Sequence, residues 1–242
     1  WLLTMAEERG EKPQDKVAVS TIVSSAMPDV LARARGFEMR RVLTGFKYIG
    51  DQIDQLKGAG EEDRFLMGFE ESYGYLVGTH ARDKDAIVAT MLCVEMASWY
   101  AARNMDLYEA MDALYQRYGY YLNGVVNAAY PGAEGAAKMA QIMSGLRKNP
   151  LEMVGNYKVV GVTDYAECAE MPRVSGLQKE APQTLPASNV IEYRLEGDNK
   201  VIFRPSGTEP KVKAYLFANG ATREEAEARV AELIEAAQKV LS

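Results

Sequence analysis

The chain has 242 residues, with 28 Lys and Arg against 34 Asp and Glu and a single His, for a net charge of −6 at pH 7. A surplus of carboxylates excludes the basic surface that nucleic-acid phosphates select, so no nucleic-acid partner is expected, and 48% hydrophobic residues suffice for a core in each of two ordinary domains. The two cysteines, Cys93 and Cys168, make no metal-ligand pattern and no signal peptide is visible; a cytoplasmic chain with reduced thiols is expected, with no membrane association.

The first half alternates between strand and helix signals. A β-branched run predicts a strand over 17–23, followed by a helix with Pro28 near its start and Gly36 behind it. A second strand is expected over 39–43, ended by Thr44-Gly45, and a helix over 48–56 that stops at Gly58. A third strand, from 64 to 67, runs into the segment GFEESYG at 68–74. The long helix expected over 85–103 has its most apolar stretch at 86–102; Glu95 within it and the charges before it make it a buried helix rather than a membrane span, with Cys93 a buried thiol. A further helix covers 107–118. This order implies a largely parallel sheet covered by helices.

Beyond residue 120 the pattern changes. Strands are expected over 125–129, 158–162, 190–195, 200–203 and 212–217, with a helix over 136–146 and a long loop over 169–188 that holds Pro172, Gly176, Pro182 and Pro186. The last helix carries a capping box, Thr222 with Glu225, and an apolar stripe of Val230, Leu233, Ile234, Ala237 and Leu241. The expected fold class is α/β: a parallel-sheet αβα domain over 1–120 followed by a smaller α+β domain over 121–242.

Three loops carry candidate chemistry. RPSGTEPK, at 204–211, gathers cations and hydroxyls behind a strand of an acidic chain. Gly207 lets the backbone approach a ligand, Ser206 and Thr208 add donors, and Arg204 suits a two-pronged grip on phosphate. Lys211 and Lys213 add point charges; the plain alternative is an ordinary charged turn. At the second loop, Glu70 and Ser72 share one face of extended backbone while Glu71 points the other way. Adjacent carboxylates do not suit a glycosidase pair, which must face each other across a sugar, whereas a carboxylate beside a hydroxyl suits neighbouring sugar hydroxyls. The third loop, 79–85, holds His80, the only histidine, so no Ser-His-Asp triad or His-rich metal site can be assembled. In the plainest reading Arg82 and Lys84 pair with Asp83 and Asp85.

Taken together, TGFKYIG (44–50), GFEESYGYLVGTHARDKD (68–85) and RPSGTEPK (204–211) resemble the α-D-phosphohexomutase superfamily, the phosphoglucomutases and phosphomannomutases, in order and approximate spacing. The resemblance implies a member of the bacterial phosphoglucomutase branch with EESYG. Such enzymes have four domains: the first supplies a phosphoserine, the second a magnesium loop, the third reads sugar hydroxyls and the fourth holds the non-reacting phosphate. By that resemblance Glu70 and Ser72 bind sugar hydroxyls, Thr44, Gly45 and Lys47 line the sugar pocket with Arg82 and Lys84 close to it, and Arg204, Ser206, Gly207, Thr208 and Lys211 bind phosphate. The sequence has no Ser-His-Asn triplet and no Asp-x-Asp-x-Asp-Arg loop, and it opens on Trp1 with an uncapped helical run. These features lead to the expectation of domains three and four only, with the catalytic phosphoserine and the Mg2+ site in upstream domains of the same parent chain. The resemblance further implies a hexose monophosphate substrate, a hexose 1,6-bisphosphate intermediate that also serves as activator, and no mutase activity in this chain alone. A stand-alone sugar-phosphate binding module without catalysis is the alternative.

Overall fold

The β-branched run is β1 (Val17–Thr21), buried along its whole length because it is an interior strand. The computed structural model describes every residue except 133, 167–168, 172–182 and 208. Two compact units make up the chain: Trp1–Tyr118 with Glu170–Gln183, and Gly119–Ala169 with Thr184–Ser242.

In the first unit, α1 (Leu2–Glu8), β1, α2 (Met27–Arg35), β2 (Glu38–Val42), α3 (Phe46–Gly58), β3 (Phe65–Glu70) and β4 (Gly74–Leu76) follow in order. The sheet runs β2-β1-β3-β4, with β1 parallel to both β2 and β3 and with β4 folded back antiparallel on β3. Alternation along β1 feeds two cores. Val17 and Val19 pack with Phe46, Ile49, Ile53 and Leu56 of α3, while Ala18 packs with Leu3 of α1 and Ala32 of α2. The unit is therefore an αβα sandwich around a parallel-containing sheet. Because β2 and β3 lie on opposite sides of β1, the chain reverses its direction of travel there, and the crevice at the carboxyl ends of such strands is where ligands of open α/β sheets bind.

The short strand β4 has no counterpart in the sequence expectations, because three residues between a turn and a loop carry no periodic signal. The helix expected over 85–103 is α4 (Ala86–Ala101), followed by α5 (Leu107–Tyr118). Asp85 caps α4 by accepting from the amides of Ile87 (2.9 Å) and Val88 (3.0 Å). The expectation that α4 is buried does not hold. None of its residues is buried; it meets the edge strand β4 and α5, and Ile87, Met91 and Val94 stand 76%, 66% and 62% exposed on one helical stripe. Cys93 is correspondingly an exposed free thiol rather than a buried one. An edge strand covers only one side of a helix, so a largely apolar helix placed there keeps apolar surface in water.

The second unit is antiparallel. It comprises β5 (Tyr120–Ala129), α6 (Gly135–Lys148), β6 (Met153–Val154), β7 (Tyr157–Asp164), β10 (Ile191–Leu195), β11 (Asn199–Pro205), β12 (Lys211–Gly220) and α7 (Arg223–Val240), while β8 (Ala169–Met171) and β9 (Gln183–Leu185) fall at the sequence boundaries between the two units. The six-stranded sheet runs β5-β12-β11-β10-β7-β6, and β8 and β9 form a separate pair. Met143 and Leu146 of α6 and Leu233 and Ala237 of α7 pack on Val126, Tyr193, Phe203 and Leu216. The expected Thr222 cap of α7 is present: Thr222 Oγ1 accepts from the Glu225 amide (3.2 Å), while the Glu225 carboxylate reaches one residue beyond the N-cap and accepts from the Ala221 amide (2.7 Å). Of the loop expected over 169–188, the stretch 172–182 lies outside the described residues, as does Cys168. Among the described residues no helix is long and apolar enough to cross a membrane.

Candidate functional site

The parallel register places the ends of β2 and β3 on either side of the end of β1: Thr21 lies opposite Val42, and Ser20 opposite Phe69. Thr44, Gly45 and Lys47, behind β2, and Glu70, Glu71 and Ser72, at the end of β3, therefore stand at one edge of one sheet. Gly45, the residue before α3, has φ of 124°, a backbone that side chains rarely adopt. The Lys47 ammonium is exposed and lies over the Tyr48 ring, 4.8 Å from its centroid.

Glu70 and Glu71 do diverge. Glu70 ends β3 facing Lys84, whose ammonium is 3.8 Å from Oε1, whereas Glu71 Oε2 accepts a 2.8 Å hydrogen bond from Thr21 Oγ1. Thr21 Oγ1 is also 2.9 Å from Ser24 Oγ, and Ser20 Oγ donates to the Phe69 carbonyl (2.8 Å). From below, Arg41 donates to the carbonyls of Thr21 (2.9 Å) and Ser25 (2.6 Å) and pairs with Asp29 (2.7 Å). The turn behind β3 is thus tied to the turn behind β1 by a chain of buried and half-buried polar groups. Burial pushes the Glu70 carboxyl above its ordinary range; Lys84 opposes this, and Glu71 and Asp83 reinforce it. Ser72 does not share extended backbone with Glu70. It lies in the turn that closes the β3–β4 hairpin and is exposed there.

Gly74 is what lets this cluster close. A Cβ on it would stand 2.6 Å from Lys84 Cδ and 2.7 Å from Glu70 Cγ. Lys84 also lies over the Phe46 ring (5.3 Å) and beside Asp83 (3.1 Å). Arg82 departs from the plain reading of the sequence: its guanidinium pairs with Asp54 of α3 (2.7 Å) and donates to the carbonyls of Thr79 (2.7 Å) and Ala81 (3.0 Å). Asp85 pairs with His80 (2.8 Å) instead. Gly50 makes room for this, since a Cβ there would sit 2.7 Å from the Arg82 carbonyl oxygen. Arg82 thus holds its own loop against α3.

The phosphate candidate lies wholly in the second unit, between β11 and β12. The Ser206 amide donates to the Lys211 carbonyl (2.8 Å), and the Glu209 amide donates to Ser206 Oγ (3.3 Å), closing a short turn. Open space surrounds the position a Cβ would take on Gly207. Thr208 lies outside the described residues. Lys211 is paired with Glu209, whose carboxyl is lowered by that hydrogen bond, so its charge is already balanced. From the sequence Lys213 is only one more point charge. The register puts it directly across from Arg204, with Asn127 of β5 next in the row. Counting one residue outward from the 205/212 pair finds this neighbour, once the strand ends are known. Neither Arg204 nor Lys213 has a hydrogen-bonded or ion-paired carboxylate among the described residues.

Residues 1–118 match the family described as phosphoglucomutase/phosphomannomutase, alpha/beta/alpha domain III. A phosphoglucomutase of Staphylococcus aureus (strain bovine RF122 / ET3-1) is 33% identical over 217 residues, covering 89% of this chain, and one of Staphylococcus haemolyticus is 31% identical over 207 residues, covering 86%. The chain spans only 38% and 37% of the length of these relatives. In fold it is similar to the open form of the phosphoprotein parafusin, a phosphoglucomutase from Paramecium (TM-score 0.65, 17% identity, 99% of this chain and 40% of that one), and to a phosphoglucomutase/phosphomannomutase family protein from Burkholderia thailandensis (TM-score 0.51, 12% identity, 99% and 41%). With the αβα unit, the EESYG turn and the RPSGTEPK turn in one chain, the protein belongs to the phosphoglucomutase/phosphomannomutase family.

Proposed function

We infer that this chain supplies the sugar-reading and phosphate-holding parts of a phosphohexomutase. Glu70 and Ser72 accept and donate to neighbouring sugar hydroxyls, with Thr44, Gly45, Lys47 and Lys84 around them. Arg204, Lys213, Ser206, Gly207 and Thr208 hold the phosphate that is not reacting. The observation that carries this reading is the cross-strand pair Arg204 and Lys213: like charges directly opposite one another weaken a sheet, and among the described residues neither forms an ion pair with a carboxylate, since Glu209, the carboxylate that Lys213 influences, is paired with Lys211. A bound dianion removes that repulsion and gains charged hydrogen bonds.

In the reaction so inferred, a phosphoryl group moves between the two ends of a hexose phosphate through a 1,6-bisphosphate that turns end over end. The site must then accept two flipped poses with similar strength, and a carboxylate beside a hydroxyl serves either, because adjacent hydroxyls exchange places on flipping. Holding the remote phosphate fixes the reacting end in place. Family membership implies a magnesium ion, but among the described residues no group of three His, Cys, Asp or Glu is arranged to hold one. This chain's part in the reaction is to bind and orient the substrate.

The test is calorimetric titration of the chain with glucose 1-phosphate, glucose 6-phosphate and inorganic phosphate. Binding of both sugar phosphates that weakens with salt, disappears in the Arg204→Ala/Lys213→Ala double variant, and comes with no interconversion of the two sugars supports the reading. Absence of binding at millimolar ligand, or turnover by the purified chain, overturns it.

A further inference from the structure

Tyr73 sits between Ser72 and Gly74 at the tip of the β3–β4 turn, with φ of 59° and 91% of its surface exposed. An exposed aromatic residue alone means little. Its backbone is the unusual feature. The left-handed region is costly for a bulky residue with a Cβ, and glycine adopts it without penalty. Such strain persists only where the surroundings over-determine it, and it gathers at functional sites. The turn is pinned on every side. Glu70 pairs in register with Gly74, Glu71 is bonded to Thr21, and Gly74 is packed against the Lys84 and Glu70 side chains. No hydrogen bond or ring contact of the Tyr73 side chain exists among the described residues, so packing of the ring is not what compensates the strain.

We propose that Tyr73 is a binding residue, whose ring, held out by the strained turn beside Glu70 and Ser72, stacks on the carbon face of the substrate's hexose ring. The proposal rests on the inferred sugar site. It adds an apolar contact to the polar ones, as sugar sites need: hydroxyls are read by Glu70 and Ser72, while C–H groups are covered by an aromatic face. It also accounts for a tyrosine where local backbone energetics favour glycine.

The experiment compares the wild-type chain with Tyr73→Gly and Tyr73→Phe, each titrated with glucose 1-phosphate and with inorganic phosphate, alongside thermal unfolding. Tyr73→Gly is expected to unfold at a higher temperature than wild type and to bind glucose 1-phosphate about tenfold more weakly, with inorganic phosphate binding unchanged; Tyr73→Phe is expected to bind both as wild type does. Unchanged glucose 1-phosphate binding in Tyr73→Gly overturns the stacking role and leaves the sugar-phosphate site standing. Equal loss of both ligands in Tyr73→Gly overturns it too, since a ring platform does not touch free phosphate. A wild-type chain that binds glucose 1-phosphate no better than inorganic phosphate overturns the sugar site itself, and the stacking with it.

Discussion

Thr21 Oγ1 donates a 2.8 Å hydrogen bond to Glu71 Oε2, joining residues 50 apart in sequence and fastening the turn behind β3 to the end of β1. Glu71 forms no ion pair with Lys84 or Arg82, so its part is to position Glu70 and Ser72 on either side of it. Glu71→Ala leaves the Thr21 hydroxyl without this acceptor and is expected to destabilise the first unit by about 1–2 kcal/mol, whereas Glu71→Gln keeps an acceptor oxygen and loses less than half as much. Urea denaturation of the two variants checks this, and equal losses would show that the hydrogen bond is not the cause.

Gly74→Ala tests the close approach on the other side of the turn. Gly74 does not have positive φ, so alanine suits the backbone, and the penalty comes from displacing Glu70 Cγ and Lys84 Cδ. Overpacking of this kind costs about 1–3 kcal/mol. The expected result is a modest fall in stability with a much larger fall in glucose 1-phosphate affinity, because the displaced carboxylate is the one inferred to read the sugar. A variant that loses stability but keeps full affinity would separate Glu70 from sugar binding.

The raised carboxyl of Glu70 has a pH signature. Burial disfavours its charged form, with Lys84 opposing and the Glu71 and Asp83 charges adding to the effect. The folded chain thus holds this proton more tightly than the unfolded one. Its contribution to stability is full below the ordinary carboxylate range and is lost as pH rises through the raised value. Relative to wild type, Glu70→Gln should gain stability as pH rises from about 4 to about 7, while losing sugar-phosphate binding. Denaturation curves for both proteins across that range decide the matter; a gap that widens toward acid in the variant's favour contradicts a raised carboxyl.

Arg204→Ala and Lys213→Ala should both weaken phosphate binding, with Arg204 the larger loss. A charged hydrogen bond contributes about 1.5–3 kcal/mol, and only the guanidinium can make two in parallel. Lys211→Ala should matter least, since Glu209 already balances that charge. Phosphate titrations of the three variants rank them, and a Lys211 loss equal to that of Arg204 would contradict the pairing.

Cys93 should react with a thiol reagent in the folded chain, because it lies exposed on α4. Comparison with Cys93→Ser isolates it from Cys168: one equivalent of rapid reaction should disappear. Protection of Cys93 until denaturant is added would mean that α4 is covered in solution.

Periodicity and local chemistry were enough to place most elements of both units. The β-branched run became β1, and the Thr222 cap became the start of α7, because both signals are local and are read within a few residues. The candidate phosphate and sugar motifs stood out for the same reason, as clusters of donors and carboxylates at predicted strand ends, and their roles came from the family resemblance. Other features depended on partners distant in sequence. Whether α4 is buried could not be read from a helix that is largely apolar, since no stripe says which face is covered; its place against an edge strand decided that. Strand register set Lys213 opposite Arg204, although in sequence Lys213 looks like a point charge equal to Lys211, which is instead balanced by Glu209. The strain at Tyr73 was likewise invisible, because a tyrosine adopts a left-handed backbone only when the Glu70–Gly74 pairing and the Thr21–Glu71 bond, formed between strands, hold it there.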